Sequence, residues 1–478
     1  MNMLYYGDCL TVIRDKMQPE SVDLVYLDPP FNSKRDYNNI YKDHTGRPLP
    51  DQVEAYTDTW VLDAVRMRVI RKMPMLLREQ AIDGHDADYL ANFPSGLVNV
   101  QADMAAYLAY MTERLLWIKR VMKPTASIYL HCDPTASHYL KIVMDVVFGQ
   151  RNFQNEFVWY YSGGGASKKR WARKHDILLF YTNSKEWVFN VDAVRTPHKW
   201  DKGQLRADGS ERDYEKGKIP DDVWQHHSLL PWSSEWLDFK TQKPLALLER
   251  VVKASSRPGE VVLDPFCGCA TTIEAANKLG RQWVGIDITI HAIRRVVRRR
   301  LFERMGLVEG KDYTIDGVPK NWEGAFELWK QDHYQFQKWC VEKVDGFVNV
   351  KKTADDGIDG RIYFDMPGEK IFQSMALEVK GGENVGINVV RSLNAVLQFE
   401  NIQMAGLITL HEPSERQLKN FKQTMAMAGD VEIAGKLYPR IQLLTVNEII
   451  NGAKFDVPSP AGHTGTGYEG DLFTEPPL

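Results

Sequence analysis

"VDLVYLDPPFNS", Val22 to Ser33, decides how the rest of the chain is read. A short apolar run halts abruptly on Asp28, Pro29, Pro30 and Phe31. Prolines fix φ and lack a backbone N–H, so they cannot continue a central strand, and the plainest account is a turn. A buried strand that stops on a carboxylate also stands where open α/β sheets keep their ligand crevices, at the carboxyl ends of parallel strands. Taken alone, the stretch supports either.

Further strand-like runs follow at Ser127–His131, Asp176–Thr182, Val261–Phe266 and Trp283–Ile288. Helical periodicity lies between them over Met104–Met122, Thr135–Phe148, Pro244–Ser255 and Thr271–Leu279. Alternating strands and helices predict an α/β fold with a doubly wound, mostly parallel sheet. Residues 36–100 break the rhythm with polar helical segments and read as an insertion. Residues 185–238, rich in Trp, Lys, Asp and Gly with little periodicity, read as a variable surface-reading module.

At 478 residues the chain is too long for one ordinary core. The pattern restarts after about Gly310: a linker over 311–329, then a second, smaller α/β domain over 330–455. Its predicted helices are Lys330–Val344 and Val389–Glu400, with strands near Arg361–Phe364, Met375–Lys380, Met404–Leu410 and Arg440–Thr445. The Gly- and Pro-rich tail, 456–478, is expected to be disordered.

Lys plus Arg number 60 against 63 acidic residues, a formal charge of -3, so bulk charge does not announce nucleic acid. Local charge says more. Lys168, Lys169, Arg170 and Arg173 lie in "SKKRWARKH", a candidate phosphate-contacting loop, whereas "IRRVVRRRL" (Ile293–Leu301) reads as a helix with a solvated basic face. Five scattered cysteines without paired spacing suggest neither zinc nor disulfides and fit a reducing cytoplasm. No signal-peptide pattern or membrane-length apolar run is visible, so no membrane association is expected.

The second informative stretch is "VVLDPFCGCATT" (Val261–Thr272), followed by "WVGIDI". A strand feeding a Gly-containing turn and a helix gathers backbone N–H groups around a ligand. The three-glycine dinucleotide spacing is absent, which argues against a dehydrogenase. Asp287, ending the next strand, stands where a carboxylate would accept hydrogen bonds from ribose hydroxyls.

With "LDPPFN", "LDPFCGCATT" and "TQKPLALLERVV" (Thr241–Val252) in this order, the chain resembles the β-class S-adenosylmethionine-dependent DNA amino-methyltransferases, a Rossmann-like fold. The resemblance covers roughly Leu4–Arg304 and implies a set of roles. Asp28 and the Pro29 carbonyl would accept the target amino hydrogens, Pro30 would set the loop, and Phe31 would stack on a flipped base. Asn32 would orient that loop or cap its turn. Asp8, Lys243, Asp264, Phe266, Gly268 and Asp287 would line the cofactor pocket, with Asp287 on the ribose. Ala270 departs from the family pattern, which has Gly there. Asp28 favours adenine N6 as target over cytosine N4, in duplex DNA. The resemblance also makes a homodimer plausible.

In the second domain, "DDGIDGRIYF" and "ALEVKGG" put Asp359, Glu378 and Lys380 within reach of one cleft, Glu378 and Lys380 sharing a strand face. This resembles the PD-(D/E)xK nuclease fold, particularly its Mrr-like branch. Asp359 and Glu378 would then bind Mg²⁺, with Glu342 a further carboxylate or simply a solvated helix residue. The rival is an inactive DNA-binding module, and a nuclease-dominated protein regulated by cofactor binding is a third reading. A methyltransferase joined to such a domain suggests restriction-modification or phage defence.

Overall fold

The computed structural model describes residues 2–30, 60–80, 82, 84–161, 168–197, 210, 217–225, 229, 233–237, 241–349, 358–364, 373–400 and 402–458. Phe31, Asn32, much of 36–100 and of 185–238, and the tail from 459 lie outside them. The chain divides into two compact units, one running to Ile288 and resuming over Arg295–Asp316, the other holding Thr289–Arg294 and the chain from Gly317.

The first unit is built on a sheet of nine strands: β1 (Asn2–Tyr6), β2 (Val22–Leu27), β3 (Met122–Cys132), β4 (Phe153–Tyr160), β5 (His175–Thr182), β6 (Val223–Gln225), β7 (Val261–Asp264), β8 (Gln282–Asp287) and β9 (Tyr313–Asp316). Their order is β6-β4-β5-β3-β2-β7-β8-β1-β9. Among the described residues of this sheet, only the β5 pairings, with β3 and β4, are antiparallel. Every residue of β2 is buried, as expected of a strand covered on both faces. Its one charge, Asp23, is held by Lys123 Nζ at 2.8 Å and the Val261 N–H at 2.9 Å.

Side-chain alternation divides the faces. Val25 and Leu27, with Ile128 and Leu130 of β3, pack into one core with helices Cys9–Lys16, Ala64–Glu79, Gly84–Leu97, Ala102–Val121 and Ser137–Met144. The described helices of the 36–100 insertion thus belong to that core, through Ile70, Met73, Leu77 and Leu90. Tyr26 and His131 sit on the opposite face. The chain moves from β2 to β3 in one direction and from β7 to β8 in the other, so the sheet reverses its winding between β2 and β7. Asp28 follows β2 there, and Asp264 ends β7.

The second unit has a five-stranded sheet, order β10-β11-β12-β13-β16: β10 (Phe347–Val348), β11 (Gly360–Phe364), β12 (Gln373–Lys380), β13 (Met404–Thr409) and β16 (Ile441–Thr445). A separate hairpin pairs β14 (Asp430–Ile433) with β15 (Lys436–Pro439). Val390, Leu393 and Leu397 of helix Ile387–Phe399 and Phe421 of helix Glu415–Ala428 pack on Ala405, Leu407 and Ile441. The expected linker is not one: residues 311–329 hold β9, which pairs with β1, and most of helix Trp322–Gln331.

Candidate active site

The winding reversal gathers carboxylates at one end of the sheet. Asp28 Oδ2 accepts a hydrogen bond from Lys243 Nζ at 2.6 Å, with side chains only 18% and 9% exposed, and Lys243 also donates to the Thr241 carbonyl at 3.3 Å. Lys243 immediately precedes Pro244, which caps helix Leu245–Ser255. Asp264 is buried, and burial first, then the charges of Asp28 and Asp287, push its carboxyl up to about 7 against the Thr272 hydroxyl and the Phe266 N–H. Asp287 Oδ2 accepts from the Gly268 N–H at 3.0 Å, and the Asp287 carbonyl accepts from the Gly7 N–H at 2.9 Å. One hydrogen-bonded frame therefore ties the end of β1, the turn after β7 and the end of β8.

The turn itself is tightly wound: Gly268 has φ of +47° and Ala270, at the head of helix Thr271–Lys278, +60°. Left-handed backbone explains why glycine would suit position 270, where a Cβ costs about 1 kcal/mol. Asp264 and Asp287 interact electrostatically with each other, and Asp264 with Asp28, so this end of the sheet holds more acidic groups than the single ammonium bonded to Asp28. A ligand carrying a sulfonium, an ammonium and a ribose diol fits that donor and acceptor set.

Behind Asp28 runs a buried polar chain that sequence reasoning missed. Tyr26 Oη lies 2.7 Å from His131 Nδ1, and His131 Nε2 lies 3.3 Å from Asp176 Oδ2, whose other oxygen accepts from Tyr161 Oη at 3.2 Å. Tyr26 and Asp176 thus hold the two ring nitrogens of His131 from opposite sides. Burial raises the Asp176 carboxyl, but the bond and charge of His131, the charge of Lys243 and the Tyr161 hydroxyl together bring it below the usual range. The available signal was "LHCDP" (Leu130–Pro134), a histidine near the end of the strand that pairs with β2.

Asp8, expected in the cofactor pocket, has two partners within the fold. Oδ1 accepts from the Leu10 N–H, capping helix Cys9–Lys16, and Oδ2 pairs with Arg114 Nη2 at 2.5 Å, a buried guanidinium lying over the Tyr110 ring. Lys168, Lys169, Arg170 and Arg173 are exposed on the connection between β4 and β5. Arg300, from the run expected to face solvent, is instead buried and ion-paired with Glu274, which also binds Arg304 at 3.1 Å.

In the second unit Asp359, Glu378 and Lys380 come together. Asp359 Oδ2 accepts from the Val379 N–H at 2.7 Å, and Glu378 Oε1 pairs with Lys380 Nζ at 2.7 Å. Burial raises both carboxyls, each is lowered by Lys380, and Asp359 adds to the rise at Glu378. Glu342 is not solvated: it is buried, and Oε2 accepts from the Ile290 N–H at 2.9 Å. Among the described residues no group of three or more metal-ligating side chains occurs, and no helix is long and apolar enough to cross a membrane.

Comparison with known proteins shows the family of the chain. The profile of the N6/N4 DNA methylase family matches residues 22–298. DNA adenine methyltransferase YhdJ of Escherichia coli (strain K12) is 25% identical over 301 residues, 62% of this chain and 81% of that protein. Type II methyltransferase M.HpaI of Haemophilus parainfluenzae is 30% identical over 248 residues, 51% of this chain and 76% of the relative. Among solved structures, the PvuII DNA methyltransferase (cytosine-N4-specific) aligns with a TM-score of 0.39 at 15% identity, over 64% of this chain and 88% of its own.

Proposed function

Because the chain belongs to the N6/N4 DNA methylase family, we propose that it methylates the N6 amino group of adenine in duplex DNA, using S-adenosylmethionine. The observation that carries this reading is the Asp28 carboxylate, standing at the winding reversal of the sheet beside Asp264 and anchored by Lys243. Bound S-adenosylmethionine supplies an electrophilic methyl carbon on a positively charged sulfur.

The residues of the chain do the rest. An exocyclic amino nitrogen is a poor nucleophile because its lone pair is delocalised into the ring. Asp28 and the Pro29 carbonyl accept its two hydrogens, favouring a pyramidal nitrogen and stabilising the positive charge that develops there. As the carbon–nitrogen bond forms and the carbon–sulfur bond breaks, the surplus amino proton passes to the Asp28 carboxylate and on to solvent. Lys243 orients that carboxylate, leaving Oδ1 to face the amino group. Asp287 takes the ribose hydroxyls, and Asp264 offsets the cofactor's positive charge.

Asp at the head of the first motif and the similarity to an adenine methyltransferase favour adenine over cytosine. The test is incubation of unmodified plasmid with the chain and S-adenosylmethionine, then nucleoside digestion and mass spectrometry. N6-methyladenine is expected, abolished in Asp28→Ala. N4-methylcytosine would move the target to the other base, and intact transfer by Asp28→Ala would remove Asp28 from its role.

A second reading concerns the second unit: Mg²⁺-dependent phosphodiester cleavage. It is favoured by the convergence of Asp359, Glu378 and Lys380. Asp359 and Glu378 would hold the ion, whose chemistry is to polarise the phosphate and acidify water. Nicking of supercoiled plasmid with Mg²⁺, lost in Asp359→Ala and Lys380→Ala, is expected; no cleavage of modified or unmodified DNA would leave a DNA-binding module. A site-specific enzyme of either kind working in pairs is compatible with a homodimer, to be read by sedimentation.

A further inference from the structure

The connection between β4 and β5 ends in Lys168-Lys169-Arg170-Trp171-Ala172-Arg173, and the Trp171 side chain is 95% exposed. An indole can bury on the order of 200 Å² and is among the side chains a fold most readily uses. Here it is presented to solvent amid four exposed cations. Cations match phosphates, and an aromatic face matches bases of any sequence, so the pair of features points to nucleic acid rather than to an apolar partner.

Strand register places this turn. Leu27 of β2 pairs with Leu130 of β3, Cys132 of β3 with Ile177 of β5, and Tyr160 of β4 with His175 of β5. The turn therefore leaves the sheet at the end where Asp28 stands, and β5 lies two strands from β2, about 10 Å away. Its base is fixed. The Tyr161 N–H donates to the Lys174 carbonyl at 3.0 Å, and Asp176 joins Tyr161 to His131.

We propose that Trp171 is a DNA-stacking residue: Lys168, Lys169, Arg170 and Arg173 seat the turn on the phosphates, and the indole enters the base stack beside the nucleotide delivered to Asp28. This rests on the methyltransferase reading, because chemistry on an amino group at the end of β2 requires the base to leave the duplex. The gap left behind is unstacked on both sides. An aromatic wedge occupying it replaces lost stacking and slows return of the base. At 95% exposure the indole makes almost no intramolecular contact, so its replacement leaves the fold intact.

The test uses the full chain and two 30-bp duplexes of random sequence, one carrying a central abasic site, with affinity read by fluorescence anisotropy. The wild-type chain is expected to bind the abasic duplex about tenfold more tightly, Trp171→Ala to bind both alike, and Trp171→Phe to keep the preference. Lys168→Ala should weaken both complexes equally and flatten the salt dependence. Preference retained in Trp171→Ala, or no preference in the wild-type chain, overturns the proposal. Tritium transfer from labelled S-adenosylmethionine to plasmid judges the methylation reading separately. Silence there with the Trp171-dependent preference intact rejects the chemistry and keeps the stacking contact.

Discussion

Replacing Lys243 by methionine separates two roles that one lysine could fill. The resemblance assigns it to the cofactor pocket, and the structure bonds it to Asp28 at 2.6 Å. At that separation and an effective dielectric near 20 the gross attraction is about 6 kcal/mol. With side chains 9% and 18% exposed, desolvation cancels more than half of it, leaving a coupling of roughly 2–3 kcal/mol. If that coupling is spent on aiming Asp28, Lys243→Met lowers kcat for methyl transfer by about a hundredfold. The calorimetric Kd for S-adenosylmethionine should change less than about threefold, and Lys243→Arg should recover part of the rate. Single variants do not isolate the coupling, because Asp28 also raises Asp264 and its removal relieves that repulsion. A double-mutant cycle with Asp28→Asn, read as unfolding free energies in urea, does. Additive effects within about 0.5 kcal/mol, or a Kd for the cofactor raised tenfold with kcat unchanged, would refute the assignment.

Three further outcomes follow from the geometry around the second motif. A Cβ at Gly285 would lie 2.3 Å from Ile273 Cδ1 and 3.3 Å from Cys267 Sγ, so Gly285→Ala should push on helix Thr271–Lys278 and cost about 1–3 kcal/mol in a urea titration; an unchanged midpoint would mean the helix yields freely. Ala270→Gly relieves a φ of +60° and should add about 1 kcal/mol, with loss of stability arguing that the buried methyl outweighs backbone strain. Asp264, raised from 3.8 to about 7, keeps its proton in the folded chain at pH values where the unfolded chain has released it. Stability fully present below about pH 4 is therefore lost as pH rises to about 7, by roughly 4 kcal/mol at most. Asp264→Asn should flatten that slope for the chain without ligand; identical slopes would place the carboxyl in its ordinary range.

Much of the architecture was legible locally. Strand β2 announced itself because a strand buried on both faces must be apolar throughout, and its end was marked by prolines that cannot pair. The strands Asn2–Tyr6 and Phe153–Tyr160 escaped because one is short and the other mixes Gln, Asn and Glu with its aromatics. Helix Glu415–Ala428 also escaped, although Ser414 and Gln417 form a capping box that a reading for helix starts would have caught.

The sequence by itself determined that a carboxylate ends β2, that another ends β7 and a third ends β8, since each is written next to the apolar run that carries it. Which side chains meet those carboxylates was decided only by the order of strands. Lys243 reaches Asp28 across 215 positions and His131 reaches Tyr26 across 105, because β2 lies between β3 and β7. The same holds for Glu342, which no local pattern distinguishes from a solvated helix glutamate and which the fold turns onto the Ile290 N–H. A charge's neighbour in the chain is set by covalent order, but its partner is set by burial. A buried charge must find its counterpart wherever the sheet brings one within hydrogen-bonding reach.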